Sequence, residues 1–219
     1  MKKPMGSTGT SMNEKFFDLP KEKQDRILGA AMQVFAGTGY AQAGTDQMVK
    51  LARISKGLLF HYFISKKGLY RFLYDYAARF ALLELNRNVN QEDTDFVSVW
   101  TGIQKGWRSA MRQYPYIRFF LHTADIEKDA EALSEIAERR NAYRESLQGF
   151  TARIDVSFFG TQQMLQEANQ IMEYSAQALM NELDFEDDKW QDTYFARMQT
   201  CLEFIGHYSN VRKEEDRNE

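Results

Sequence analysis

The stretch TDQMVKLARISKGLLFHYFISKKGLY, Thr45 to Tyr70, reads as helix yet carries three stop signals within twenty-six residues. Thr45, with Asp46 in the first turn, opens a short helix, because a hydroxyl caps free backbone N–H groups and a carboxylate meets the positive end of the helix dipole. The chain must turn between Ala52 and Ser55, and Ser55 caps a second short helix from Lys56. Gly57 in its first turn costs helix stability, which points to something approaching the backbone there. Ser65 then caps a long helix carried by Gly68, Leu69, Phe72, Leu73, Tyr76, Phe80 and Leu83 towards Asn86.

The remaining sequence is also helical in pattern. Three Pro among 219 residues, abundant Met, Leu, Ala, Glu, Gln and Arg, and little strand-like alternation predict an all-α chain. Ahead of Thr45, a helix starting after Asp18 and Pro20 places Ile27, Leu28, Ala31, Val34 and Phe35 on one face and ends at Gly37 and Gly39. The polar run NRNVNQEDTD, Asn86 to Asp95, is the expected loop between a small N-terminal and a larger C-terminal domain. Beyond it the pattern predicts helices at about 96–113, 116–122, 130–158, 161–183 and 189–209, then a charged tail over 211–219. Residues 1–11 read as a tag or disordered segment ahead of a start at Met12.

The charge is divided unevenly. Residues 12–70 hold nine Lys or Arg against five Asp or Glu, whereas the chain as a whole carries −3. A basic segment is the electrostatic footprint of polyanion binding, although an ordinary solvated surface gives the same count. A lone Cys201 forms no intrachain disulfide and reads as an apolar filler. No apolar run reaches membrane-spanning length and no secretory signal opens the chain, so the expectation is a soluble cytoplasmic protein. Catalytic and metal residues are expected to be none: there is no Gly-rich phosphate loop, nucleophile elbow or HExxH motif, and no cofactor is implied.

Two short helices joined by a tight turn make a helix-turn-helix, whose second helix can enter the major groove of DNA. The segment from Ile27 to Tyr70 resembles the DNA-binding domain of the tetracycline-repressor (TetR) family of bacterial regulators. The likeness rests on the Ile27, Ala31, Phe35, Gly39 spacing, on Thr45, and on SKGLLFHYF followed by SKKGLY. Two departures stand out: Arg53 where the family usually has Gly in the turn, and Phe60 in place of the more usual Tyr.

The DNA-binding candidates follow from helix-end geometry and from this resemblance. Thr45 and Lys66, at helix N-termini, are expected on phosphates. Ser55, Lys56 and Gly57 lie at the groove-entering end. Leu58 or Leu59 would meet a thymine methyl, and His61 and Tyr62 resemble the family's backbone-contacting pair.

The resemblance also implies a homodimer on a palindromic operator. A stripe of Leu165, Ala168, Met172, Ser175 and Leu179, with Tyr194, Met198, Cys201, Ile205 and Tyr208, offers either its seam or a seam within one subunit. Similar regulators hold an inducer in an apolar cavity of the C-terminal domain, here expected over residues 71–210. Trp100, Trp107, Tyr116, Phe120, His122 and Tyr143 are the candidate walls, and with an acid such as Asp125 they would suit an apolar or cationic aromatic compound. The rival reading is a helical small-molecule carrier or adaptor that does not bind DNA.

Overall fold

Among the described residues, proline, glycine and small polar caps mark out ten α-helices and no strand. The computed structural model describes residues 14–183, 185, 187 and 189–215, with only the backbone of 14 and 208–215. The helices are α1 (Glu14–Phe17), α2 (Lys21–Gln42), α3 (Thr45–Ala52), α4 (Lys56–Phe63), α5 (Lys66–Asn88), α6 (Phe96–Gln113), α7 (Ile117–Asp125), α8 (Ala130–Thr151), α9 (Gln162–Glu182) and α10 (Trp190–Glu215). A 3-10 turn, Val156–Phe158, follows α8. The helix expected over 130–158 therefore stops at Thr151.

The chain groups into two units. One spans Met1–Arg79 and Met111–Arg140, the other Phe80–Ala110 and Asn141–Glu219. In the first, α2 packs on α3 and α7 around a cluster of Phe35, Tyr40, Tyr70 and Phe120, with ring centroids 4.9–6.3 Å apart. Phe16 of α1, a helix without a periodic signal in the sequence, is fully buried against Tyr62, Phe63 and Phe72. Asp25 of α2 accepts from Gln113 and from Tyr114, whose hydroxyl also meets that of Tyr76 at 2.7 Å, so three helices share one polar knot.

In the second unit, α6 lies directly on the C-terminal half of α5. A Cβ at Gly102 would come within 2.9 Å of the Asn88 carbonyl oxygen, and one at Gly106 within 2.8 Å of the Leu85 Cα, so glycine is what permits this approach. Buried Glu84 is held by Ser109 Oγ at 2.6 Å and Arg87 Nη1 at 2.7 Å. Between α9 and α10, Leu165, Ala168, Met172, Leu179, Tyr194, Met198 and Ile205 are all buried, with Ser175 and Cys201 half-buried. The stripe read as a possible dimer seam is thus the subunit's own interior; the Tyr208 side chain lies outside the described residues. A stripe spacing reveals that a helix face is covered, but not by what.

Candidate nucleic-acid interface

The helix-turn-helix is built from local capping. Gly44 occupies the N-cap of α3, one residue earlier than expected, and Thr45 is the first helical residue. At the other end Arg53 takes the left-handed conformation, φ 53° and ψ 49°, while Ile54 N–H returns to the Val49 carbonyl at 3.1 Å. This closes α3 as glycine usually does, but with a side chain that opposes the conformation. Arg26 of α2 donates from Nε to the Ala52 carbonyl at 2.8 Å, satisfying another helix-end acceptor. Ser55 Oγ accepts from Leu58 N–H at 3.1 Å and caps α4 as its sequence position suggests.

Helix α4 has one inner and one outer side. Leu59, Tyr62 and Phe63 are buried, Leu58 and Phe60 are half-buried, and Ser55, Lys56, Gly57 and His61 are exposed. Leu59, only 1% exposed, is a core residue, so the expectation of a thymine contact narrows to Leu58. Tyr62 packs its ring edge-on to Phe16 and His61, which holds the ring in place. An added Cβ at Gly57 would meet nothing within 4 Å, so the protein's own packing does not require glycine there. Lys56 Nζ lies 2.9 Å from Asp46 Oδ1, an exposed pair joining the first turns of α4 and α3.

The break between α4 and α5 is tighter than the sequence suggests. Ile64 has φ 65° and ψ −46°, and Ser65 N–H donates to the Phe63 carbonyl at 2.7 Å. This is a three-residue γ-turn of the rare positive-φ kind, centred on a β-branched residue. A Cβ at Gly68 would fall on the Phe63 carbonyl oxygen, and Ser65 Oγ accepts from Gly68 N–H at 3.1 Å.

Lys66 turns its ammonium inward. It donates to the carbonyls of Tyr40 at 2.9 Å and Ala41 at 3.3 Å and sits 4.5 Å from the Tyr40 ring centre. The side chain thus answers the open C-terminal end of α2, which kinks at Gly39 (φ 69°). The outward grip expected of Lys66 is not the placement its side chain takes.

Carboxylates complete this corner. Tyr40 N–H donates to Glu127 Oε2 at 2.8 Å and its hydroxyl to Glu131 Oε2 at 2.7 Å. Burial pushes the Glu127 carboxyl up, but N–H donors from Asp129, Tyr40 and Lys128 outweigh it and hold its pKa below the ordinary carboxylate value. Burial raises the Tyr40 phenol, and the carboxylate of Glu131 raises it further. The sequence shows the acids of 125–138 but not that they face Tyr40 and α5.

The six aromatic and histidine candidates are divided between the two units. Tyr116, Phe120 and His122 belong to the first unit, and Trp100, Trp107 and Tyr143 to the second. Phe120 is fully buried, and the Tyr116 hydroxyl accepts from Gln33 Nε2 at 3.3 Å. Burial lowers the His122 pKa, partly offset by Asp125. Trp100 donates from Nε1 to Asn169 Oδ1 at 2.8 Å. A polar cleft of about 250 Å³ lies elsewhere in the second unit, lined by Asn86, Gln91, Ser146 and Arg153 among others, and includes none of the six.

Among known proteins, the family model described as "Bacterial regulatory proteins, tetR family" matches residues 27–72. The HTH-type transcriptional regulator QacR of Staphylococcus aureus (strain Mu50 / ATCC 700699) is 40% identical over 47 residues, 22% of this chain. The chain thereby spans a quarter of the length of that relative, 25%. Among solved structures, a TetR family transcriptional regulator from Chloroflexus aurantiacus J-10-FL aligns with TM-score 0.44 and 18% identity, covering 89% of this chain and 78% of that one. A TetR-like regulator from Rhodococcus sp. RHA1 aligns with TM-score 0.42 and 15% identity, covering 88% and 87%. The segment matched by sequence begins at Ile27 in α2 and ends at Phe72 in α5, enclosing the whole helix-turn-helix. By sequence, residues 27–72 are similar to the tetR family of bacterial regulatory proteins, and the likeness is confined to this N-terminal segment.

Proposed function

We propose that the chain is a DNA-binding transcriptional regulator, a repressor that binds a palindromic double-stranded operator as a homodimer and leaves it when a small-molecule inducer binds. The observation that carries the reading is the outer side of α4. There Ser55, Lys56, Gly57 and His61 are exposed on a helix whose inner side is locked by Leu59, Tyr62 and Phe63. A rigid short helix with an open glycine at its leading end is suited to close approach in a major groove. In this reading Thr45 and the α5 N-terminus meet phosphates, while Lys56 reaches phosphate or a guanine edge.

The dimer contact belongs on the outer sides of α9 and α10, since their inner sides are occupied. Ile171, Tyr174 and Phe204 are 50%, 62% and 76% exposed, and large apolar side chains left open on adjacent helices are what a second copy would cover. The inducer is of the class expected from the sequence, an apolar or cationic aromatic compound, held in the C-terminal domain. It acts by binding more tightly to a conformation whose heads are wrongly spaced, with α5 carrying the change.

Selection of bound sequences from a random duplex pool tests this reading. The expected product is a palindrome whose half-sites are centred about 34–36 Å apart, one turn of DNA. Failure to enrich any sequence, even at low salt, would favour a helical carrier that does not bind DNA.

A further inference from the structure

Gln104 is a buried polar residue whose needs the fold does not meet. It is 8% exposed, yet neither its amide nitrogen nor its amide oxygen has a hydrogen-bond partner. Protein interiors satisfy nearly all such groups, because leaving one open costs more than a hydrogen bond gains. Methionine would fill the same space without that cost.

The surroundings of Gln104 can be placed from its helix. Gly102 and Gly106 lie against α5. A residue two positions from each is about 200° round the helix, so Gln104 points away from α5. Its neighbours one turn before and after fix what it faces. Trp100 bonds Asn169 of α9, and the Arg108 guanidinium lies 4.4 Å from the ring centre of Phe195 on α10. Gln104 is therefore directed at the inner sides of α9 and α10, where Met172 and Met198 are fully buried.

We propose that the Gln104 amide is the recognition group of a small-molecule site inside this unit. The site takes a neutral planar compound that presents a hydrogen-bond donor and acceptor side by side, as an aromatic lactam or carboxamide does. The inference rests on the ligand-responsive reading above and narrows its ligand class. A glutamine amide offers one carbonyl and one NH₂, which pair with a lactam edge through two hydrogen bonds. Trp100 and Trp107, on the same side of α6, supply flat aromatic surface, while Met172 and Met198 are unbranched and able to shift around a guest.

Charge decides against a cation. The buried carboxylate in this unit, Glu84, has both oxygens taken by Arg87 and Ser109. A cation beside Gln104 would thus be desolvated with no free buried carboxylate among the described residues to neutralise it.

The test uses Gln104→Met in the full chain, with tryptophan fluorescence and thermal unfolding as readouts. Without ligand the variant should melt higher by about 2–4 °C, since an unsatisfied amide is replaced by an apolar chain of similar size. The probe is 2-quinolone, a neutral aromatic lactam, with 1-methylquinolinium as a cation of similar shape. Wild type should bind 2-quinolone and not the cation, and Gln104→Met should weaken 2-quinolone at least tenfold. A lower melting temperature in the variant would reveal a structural partner for the amide and overturn the proposal. So would equal binding of 2-quinolone to both proteins, no binding to wild type, or preference for the cation. DNA binding on the same preparations separates the two readings. A protein that binds 2-quinolone through Gln104 but binds no duplex keeps this site and loses the regulator assignment.

Discussion

Arg53 and Ile64 hold the two positive-φ conformations found among the non-glycine described residues, and they bracket α4. Both fix the direction of the helix proposed to enter DNA. A positive-φ conformation costs an L-residue roughly 1–2 kcal/mol, most for a β-branched one, while glycine loses roughly 0.5–1 kcal/mol through its freedom in the unfolded chain. The balance differs between the two sites. Ile64→Gly is expected to stabilise the protein by about 1 kcal/mol in urea unfolding, and Arg53→Gly to be near neutral; a destabilised Ile64→Gly would mean the turn is not strained. Arg53 was legible in the sequence, because it sits in the turn ahead of the Ser55 cap. Ile64 was not, because its positive φ belongs to a tight local turn in which Gly68 comes close to the Phe63 carbonyl, and a β-branched residue gives no sign of such a turn. Gln104 was equally hidden, since a glutamine in an amphipathic helix signals neither burial nor lack of partners.

At the scale of the helix, legibility followed the strength of end signals. The bounds of α6 match the sequence reading, and the Asp95 side chain accepts from Ser98 N–H at 2.8 Å where such a cap belongs. Four-residue α1 gave no periodicity, yet Phe16 anchors the aromatic cluster behind α4. Phe16→Ala is predicted to cost about 3–5 kcal/mol, measured by urea unfolding, and a loss below about 1 kcal/mol would show that α1 is dispensable.

The Glu127 clamp at the α2 kink makes a pH prediction. Because its folded pKa is held below that of the unfolded chain, its stabilisation is present above the ordinary carboxylate pKa and is lost as the pH falls through the lower folded value. Glu127→Gln should therefore be less stable than wild type by about 1–2 kcal/mol at pH 7, from weakened charge-assisted hydrogen bonds. The gap should close in acid, as read by thermal unfolding from pH 7 to 3; a gap that is constant with pH would remove the carboxylate from the clamp.

At the scale of the whole molecule, the sequence revealed the helical class and the helix-turn-helix but not which helix faces meet a partner. No described helix is long and apolar enough to cross a membrane. If the open sides of α9 and α10 form the dimer, Phe204→Glu should shift the sedimentation coefficient to that of a monomer while leaving the helical circular dichroism intact. An unchanged dimer would place the contact elsewhere.

The central claim is that α4 carries the DNA contact, and the salt dependence of duplex binding tests it most directly. The selected duplex should bind Lys56→Ala more weakly than wild type, and the slope of log affinity against log salt should fall in magnitude by about 1. Unchanged affinity and slope in a folded Lys56→Ala protein would contradict the assignment of α4 to the groove.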